Sequence, residues 1–242
     1  MPEISDTPES SDTPEINDTK DQLLDAILLH VPFDGWTQAS FDAAIADSGI
    51  DPDLARALCP RGAVDLALAF HARGDSVMLE KIAGAEFGDM RFRDRIAAAV
   101  RFRLESAADK ELVRRGVTLF ALPQYAGDGA RAIWNTCGLI WEALGDTSDD
   151  VNWYTKRATL AGVYTATVLF WLGDDTPDHQ PTWDFLDRRI ENVMQIEKLK
   201  AQVRDNPLLK PLMAGPNWLA SAIRAPKPGA QDDLPGSTRP RS

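Results

Sequence analysis

The sequence predicts an all-α protein, and two observations lead to this fold class. Apolar residues recur at three- and four-residue spacing, as in "MRFRDRIAAAVRFRLESAA". The strict alternation of apolar and polar residues that is typical of strands is absent, and prolines and glycines separate the apolar segments. We therefore expect nine or ten helices with short loops. In the quoted helix the predicted apolar stripe consists of Met90, Ile96, Val100 and Leu104.

Three short helical segments precede a longer helix and predict a helix-turn-helix-like unit. We expect the first segment at about Asp21–His30 and the second in "QASFDAAIADSGI", where Gly49 ends the helix. The third has Asp51 as its N-cap and Pro52 at its first helical position. The longer helix is "GAVDLALAFHARGDSVMLEKIAG". This arrangement resembles that of TetR-type repressors.

Charge argues against nucleic-acid binding. The 242 residues carry a net charge of −11, whereas contacts to phosphates need a basic surface. From Gln38 to Cys59, the region that would read DNA, Arg56 is the only base. We therefore expect no nucleic-acid partner. The acids of this region are Asp42, Asp47, Asp51 and Asp53.

The sequence offers no recognisable chemistry for catalysis. Its three histidines lie far apart, without the spacing of a metal site, and it has no P-loop, dinucleotide fingerprint or Gly-x-Ser-x-Gly motif. We expect a non-enzyme with no catalytic residue, metal or cofactor. Cys59 and Cys137 are interpreted as small core residues in a reducing compartment.

The two ends of the chain differ from its middle. Residues 1–19 hold six acids and no base, unlike a targeting sequence, and repeat "SDTPE", so we predict a disordered acidic tail. We expect the helix-turn-helix-like unit at 20–73, a helical body at 74–204, an amphipathic segment at 205–225 and a second disordered tail at 226–242. The longest uncharged stretch of the most apolar helix is 16 residues, too short to cross a membrane.

That helix begins with two aromatics among charges, in "GDTSDDVNWYTKRATLAGVYTATVLFWLGDD". Asp149 or Asp150 is its expected N-cap. Trp153 and Tyr154 in a charged first turn fit a core position and a binding hot spot equally well. We expect Leu160, Tyr164 and Trp171 in the core, and close packing along a small-residue face. That face consists of Thr155, Thr159, Gly162 and Ala166.

The motif "NWYTKR", with "TWDFLDRRIENVMQIEKLK", "GAVDLALAFHARGD" and "MRFRDRIAAAVRFRLE", resembles the ubiquinone-biosynthesis accessory protein family, the ninth Coq protein. The resemblance covers about Asp21 to Ala201. It implies a TetR-like, non-enzymatic homodimer whose body binds isoprenoid quinone intermediates or phospholipids. It also implies docking of the demethoxyubiquinone hydroxylase. Family members tend to carry an acid where this chain has Gly138. The implied partner-binding residues are Asp150, Trp153, Tyr154, Arg157 and Trp141.

The segment from Asn206 to Gln231 reverses the acidic balance of the chain, because it contains three bases and no acid. Bases with Trp and Leu are typical of an interfacial helix. Packing on the protein itself or on a dimer mate is the alternative, and the resemblance favours the membrane. The expected membrane-contact residues are Lys210, Leu212, Trp218, Leu219, Ile223 and Arg224.

Together these features predict a lipid-binding accessory protein that presents quinone precursors to the hydroxylase. Since the N-terminal segment is unlike a mitochondrial presequence, we expect a bacterial protein, cytoplasmic and peripheral on the inner face of the cytoplasmic membrane. The alternative is a TetR-type ligand-responsive transcriptional regulator, which shares the fold and would shift DNA in gels.

Overall fold

A computed structural model describes residues 12–107, 109–149 and 151–205, with side chains for 17–107, 109–149 and 151–195. Within these ranges there is no strand, and the all-α prediction is confirmed. The ten helices are α1 (Asp12–Leu28), α2 (Val31–Asp34), α3 (Gln38–Ser48), α4 (Pro52–Leu58), α5 (Ala63–Gly84), α6 (Phe92–Glu105), α7 (Lys110–Phe120), α8 (Ala126–Ala143), α9 (Val151–Leu172) and α10 (Gln180–Asp205).

The helices divide into two compact units. The first contains the described residues up to Met90 together with Ala98–Leu139, and the second contains Arg91–Ala97 and the described residues from Ile140 onward. This division differs from the expected boundary between residues 73 and 74, which falls inside α5. Helix α5 continues to Gly84 because no proline interrupts it and a single glycine, Gly74, is tolerated within a helix.

Helix α1 begins at Asp12, inside the segment that the sequence predicts to be disordered. Residues 1–11 lie outside the described part of the chain, and the disorder of residues 1–19 stays a prediction. Pro14 lies in the first turn of α1. The N–H groups of a first turn have no partner within the helix, so a residue without an N–H is tolerated there.

In the first unit, the termini of α3 and α4 lie where local sequence signals predict them. Gly49 adopts the left-handed conformation after α3, with φ 67°. The carboxylate of Asp51 accepts hydrogen bonds from the backbone N–H groups of Asp53 and Leu54, both at 3.0 Å, and Pro52 opens α4. Both predicted caps are confirmed. The short helix α2 was not predicted and follows α1 after two residues.

The core of the first unit is an apolar cluster of α1 to α5 and α7. Cys59 lies in this cluster and Cys137 is buried in α8, so the predicted core positions of both thiols are confirmed. Burial raises the pKa of the Cys59 thiol. On α6, Ile96, Val100 and Leu104 are buried, whereas Met90 precedes the helix and is exposed.

A buried polar network joins α5, α6 and α8 within the first unit. Arg103 Nε donates to Asp75 Oδ1 at 2.6 Å, and both side chains are only 8% exposed. The Thr136 hydroxyl donates to the same carboxylate at 2.9 Å, and His71 Nε2 lies 2.8 Å from that hydroxyl. Burial, followed by the charge of Arg103, lowers the pKa of His71 to about 4. Asp75 thus depends on two partners for the compensation of its charge.

Arginines on and beside helix α6 pair with acids. In the second unit, Arg93 lies 2.6 Å from Glu191 on α10 and Arg91 lies 2.8 Å from Asp94. In the first unit, Arg101 lies 2.6 Å from Glu105. These arginines therefore neutralise part of the surplus of acids in the chain.

In helix α9 the residues predicted to lie in the core are buried, but the predicted small-residue face is not closely packed. Leu160, Tyr164 and Trp171 are buried. Thr155 and Gly162 are exposed, and a Cβ built on Gly162 would have no neighbour within 4 Å, so that face is not closely packed by the described residues. Among the described residues, no helix combines the length and the apolar character that a membrane crossing requires.

The loop between α9 and α10 is fixed by Asp174. Its Oδ1 accepts from the backbone N–H and hydroxyl of Thr176, and its Oδ2 accepts from the same two groups of Thr182, at 2.5–3.1 Å. The hydrogen bonds from Thr176, then those from Thr182, hold the pKa of Asp174 well below its usual range. Asp174 thereby caps the first turn of α10 in its ionised form.

We expect Asp174 to make the stability of the protein depend on pH. Its pKa is lower in the folded chain than in the unfolded chain, so the stabilisation is present above about pH 4 and decreases as the pH falls below that value. In urea unfolding, Asp174→Asn should differ from wild type more at pH 7 than at pH 3. The exposed neighbour Asp175→Asn serves as the control. A difference that is equal at both pH values for Asp174→Asn would contradict this role.

Candidate functional site

The site in the second unit begins with the backbone that ends α8. The N–H of Asp146 donates to the carbonyl of Trp141 at 2.9 Å, and the N–H of Gly145 donates to that of Glu142 at 3.0 Å. These two bonds, with φ 84° at Gly145, form a Schellman motif, for which glycine is the favoured residue. The chain reverses direction at this motif, and the reversal places the carboxylate of Asp146 between the last turn of α8 and the first turns of α9.

Four aromatic side chains, here called the aromatic patch, surround this reversal: Phe92, Trp141, Trp153 and Tyr154. Phe92 stacks on Trp141 with 5.5 Å between ring centroids, and Trp153 meets Tyr154 edge to face at 4.7 Å. Phe92 is 44% exposed and the other three are half-buried. Trp153 and Tyr154 thus differ from the buried core aromatics further along α9, and their rings remain accessible from solvent.

Two cations of α9 lie against the tryptophans of the patch. The ammonium group of Lys156 lies 5.1 Å from the centroid of Trp141, and the guanidinium group of Arg157 lies 3.9 Å from that of Trp153. Both distances fall within the range of cation–π attraction. The tryptophan rings are therefore fixed by electrostatic contacts as well as by apolar packing.

Asp146 holds both cations. Its Oδ1 accepts from Lys156 Nζ at 2.6 Å and from the Ser148 hydroxyl at 2.8 Å, and its Oδ2 lies 3.5 Å from an Arg157 amino group. The Asp146 side chain is only 4% exposed. Burial alone would raise its pKa, but the hydrogen bonds from Lys156 and Ser148 outweigh burial and lower it. Asp146 is therefore ionised at neutral pH.

The position of Arg157 differs from the expectation that it contacts a partner. The residue is 1% exposed, and its amino groups bind the carbonyl of Trp153 and the carboxylates of Asp146 and Glu142. A cation on the inward side of the helix is stabilised by these two acids. Arg157 therefore packs against the Trp153 ring as a buried residue and does not form part of the exposed surface.

The other predicted site residues are only partly within the described part of the chain. Trp141 lies near the end of α8, and Trp153 and Tyr154 lie in the first turn of α9. Their expected role in binding a partner stays a prediction. Asp150 and all six expected membrane-contact residues lie outside the described residues, so their roles stay predictions. Gly138 is buried in α8.

Sequence reasoning missed Phe92, Asp146 and Lys156. Gly145 followed by Asp146 is a helix-ending signal that could have placed the aspartate near α9. Phe92 comes from α6, far away in sequence, and no local pattern connects it to Trp141.

A separate small cavity lies in the first unit, beside the buried polar network. It is lined by Phe70, Gly74, Val77 and Arg103, among others, and has a volume of about 60 Å³. This corresponds to roughly two water molecules. The cavity is too small for an isoprenoid tail.

Comparison with known proteins shows similarity to one family. The COQ9 family model matches residues 126–197, which include three members of the aromatic patch. The chain is 30% identical to the mitochondrial ubiquinone biosynthesis protein COQ9 of Drosophila melanogaster, over 75% of this chain and 57% of that protein. It is also 30% identical to the COQ9 protein of Rattus norvegicus, over 76% of this chain and 61% of that protein.

The chain is thus similar to proteins of the COQ9 family. It spans about three fifths of the length of these curated relatives. A solved TetR transcriptional regulator from Nitrosomonas europaea is similar in structure, with a TM-score of 0.60 and 20% identity, over 72% of this chain and 97% of that chain. At this identity the regulator shows the fold alone, and the predicted TetR-like fold of this chain is confirmed.

Proposed function

We propose that this protein is a non-enzymatic accessory protein of ubiquinone biosynthesis. In this proposal it binds an isoprenoid quinone intermediate or a phospholipid at a membrane surface and docks the demethoxyubiquinone hydroxylase through the aromatic patch. The relatives named as ubiquinone biosynthesis proteins support the pathway. The homodimer remains part of the proposal, on the basis of the family resemblance.

The aromatic patch is the observation that carries the docking part of the proposal. Hot spots of protein interfaces are rich in Trp and Tyr that are surrounded by polar groups. Here Trp141 and Trp153 are accessible yet held by Lys156 and Arg157. Side chains that are already ordered lose less conformational entropy when a partner binds. This arrangement suits recognition of a protein surface better than catalysis.

The proposed need for separate membrane-binding and enzyme-binding surfaces follows from the chemistry of the substrate. A polyprenyl tail keeps a quinone precursor in the bilayer, whereas the hydroxylase must reach its ring. A peripheral protein with one surface for the membrane and another for the enzyme can connect the two. We propose that it works at the inner face of a bacterial cytoplasmic membrane.

The function is tested by deleting the gene and measuring quinones in lipid extracts by mass spectrometry. We expect ubiquinone to fall and demethoxyubiquinone to accumulate, because the hydroxylase lacks its substrate supply. A plasmid copy of the wild type should restore ubiquinone. Unchanged quinones in the deletion strain would refute the proposed role.

The membrane part of the proposal predicts that liposome binding depends on the C-terminal segment. A chain ending after Asp205, the last residue of α10, should remain soluble and folded but no longer float with phosphatidylglycerol vesicles. Each base near an anionic surface contributes about 1 kcal/mol. Three bases cannot alone overcome the repulsion of an acidic protein, so apolar insertion must contribute. Trp218→Ser should therefore reduce flotation at least as much as Arg224→Ala.

Two further results would decide the membrane prediction. The intact protein should bind anionic vesicles better than neutral ones, and less well in high salt. Equal flotation of the truncated and intact proteins would exclude this segment as the membrane contact. Aggregation of the truncated chain would instead indicate that the segment packs on the protein.

We expect no binding to duplex DNA despite the TetR-like fold. Asp42, Asp47, Asp51 and Asp53 are all exposed on or beside α3 and α4, and Arg56 lies 3.5 Å from Asp53. This surface repels phosphate, and the repulsion is strongest at low salt. Gel shifts with genomic fragments at low salt and micromolar protein check this expectation. Salt-dependent retention of DNA would favour the regulator alternative.

A further inference from the structure

One residue contacts the supports of both tryptophans in the aromatic patch. The backbone N–H of Asp146 is bonded to Trp141 itself, and its carboxylate holds Lys156, which lies over the Trp141 ring. The other carboxylate oxygen faces Arg157, which lies against Trp153. The two tryptophans lie on different helices, so their relative placement depends on the short connection that contains Asp146.

We propose that Asp146 is the positioning residue of the aromatic patch, setting Trp141 and Trp153 in one docking arrangement through Lys156 and Arg157. This inference rests on the proposed docking function and names a residue behind the surface that controls it. Asp146 does not itself meet the partner, because its side chain is 4% exposed.

Glu142 is the other acid near Arg157, but it cannot take this role. Its side chain is 62% exposed and lies 3.3 Å from Arg157. Among the described residues, the acid that pairs with Lys156 is Asp146. Exposed ion pairs contribute little because water and salt screen them. Asp146 is enclosed, accepts a hydrogen bond from Lys156 and forms an ion pair with Arg157 at 3.5 Å. Removal of its charge leaves the buried Arg157 with the Trp153 carbonyl and the exposed carboxylate of Glu142 as its partners.

The experiment uses the full chain with 5-fluorotryptophan and the purified hydroxylase. The seven tryptophan signals are assigned by single Trp→Phe variants. In Asp146→Asn we expect the fluorine signals of Trp141 and Trp153 to shift or broaden while that of the buried Trp36 stays in place. Affinity for the hydroxylase should fall at least tenfold. Asp149→Asn removes an exposed charge from the same connection and should change neither readout.

A second variant tests whether Asp146 acts through Lys156. Lys156→Met should shift the Trp141 signal, and the double variant Asp146→Asn/Lys156→Met should lose less affinity than the sum of the two single losses. Strictly additive losses would overturn the proposed connection. Lys156→Met also keeps the test decisive if Asp146→Asn fails to fold.

The remaining outcomes separate this inference from the proposed function. Unchanged fluorine signals in Asp146→Asn would overturn the inference whatever the hydroxylase does. Shifted signals with wild-type affinity would overturn it too, provided that Trp153→Ala does lose affinity. If Trp153→Ala binds the hydroxylase normally, the docking function fails, and the fluorine spectra alone decide whether Asp146 positions the rings.

Discussion

Replacing Arg103 by methionine will lower the free energy of unfolding by about 3–5 kcal/mol, because breaking a buried ion pair leaves an uncompensated charge. Asp75 would keep the Thr136 hydroxyl as a hydrogen-bond donor but lose the guanidinium at 2.6 Å. Methionine retains most of the apolar stem of arginine, so the loss reports on the charge more than on packing. Urea unfolding at pH 7 measures it.

Two controls distinguish the buried charge from a general effect of removing arginine. Arg101→Met, on the same helix, breaks an exposed pair with Glu105 and should cost less than about 1 kcal/mol. Adding Asp75→Leu to Arg103→Met removes the stranded carboxylate and should recover part of the stability. Equal losses for Arg101→Met and Arg103→Met would contradict the buried network as a major source of stability.

Replacing Trp153 by alanine will weaken hydroxylase binding by at least 30-fold and prevent restoration of ubiquinone in the deletion strain. A hot-spot aromatic contributes about 2 kcal/mol or more, which corresponds to this factor. Alanine is preferable to lysine, because a lysine would place a second cation beside Arg157. Titration of labelled hydroxylase and quinone mass spectrometry provide the two measurements.

The matched control is Trp171→Ala on the same helix. Trp171 is buried, and truncating a buried tryptophan costs about 3–5 kcal/mol, whereas the half-buried Trp153 should cost clearly less. We therefore expect Trp153→Ala to lose binding with a small loss of stability. If both variants are destabilised equally and Trp153→Ala still binds the hydroxylase, Trp153 belongs to the core and not to a docking surface.

The sequence predicted best those features that are decided locally. Asp51 and Gly49 cap their helices with groups that lie within four residues, and the buried stripe of α9 follows from helical spacing alone. The onset of α1 was missed, because proline and acids also suit the first turn of a helix, and composition alone does not separate the two cases.

The candidate site was predictable only in part, because its geometry depends on side chains from different helices. "NWYTKR" identified Trp153 and Tyr154, but could not show that Arg157 faces inward toward Asp146 while Lys156 reaches Trp141. Helical spacing separates these two cations by about 100° around α9. Which of them is buried depends on where α8 lies, and this is a tertiary property.

The approach of Gly74 to Arg103 limits how these two positions can change in evolution. A Cβ at residue 74 would lie 2.6 Å from a guanidinium nitrogen of Arg103. A free arginine could move aside, but this one is held by Asp75 and by the carbonyl of His71. Any larger residue at 74 therefore requires loss of the arginine. In an alignment of relatives, glycine at 74 and arginine at 103 should appear and disappear together.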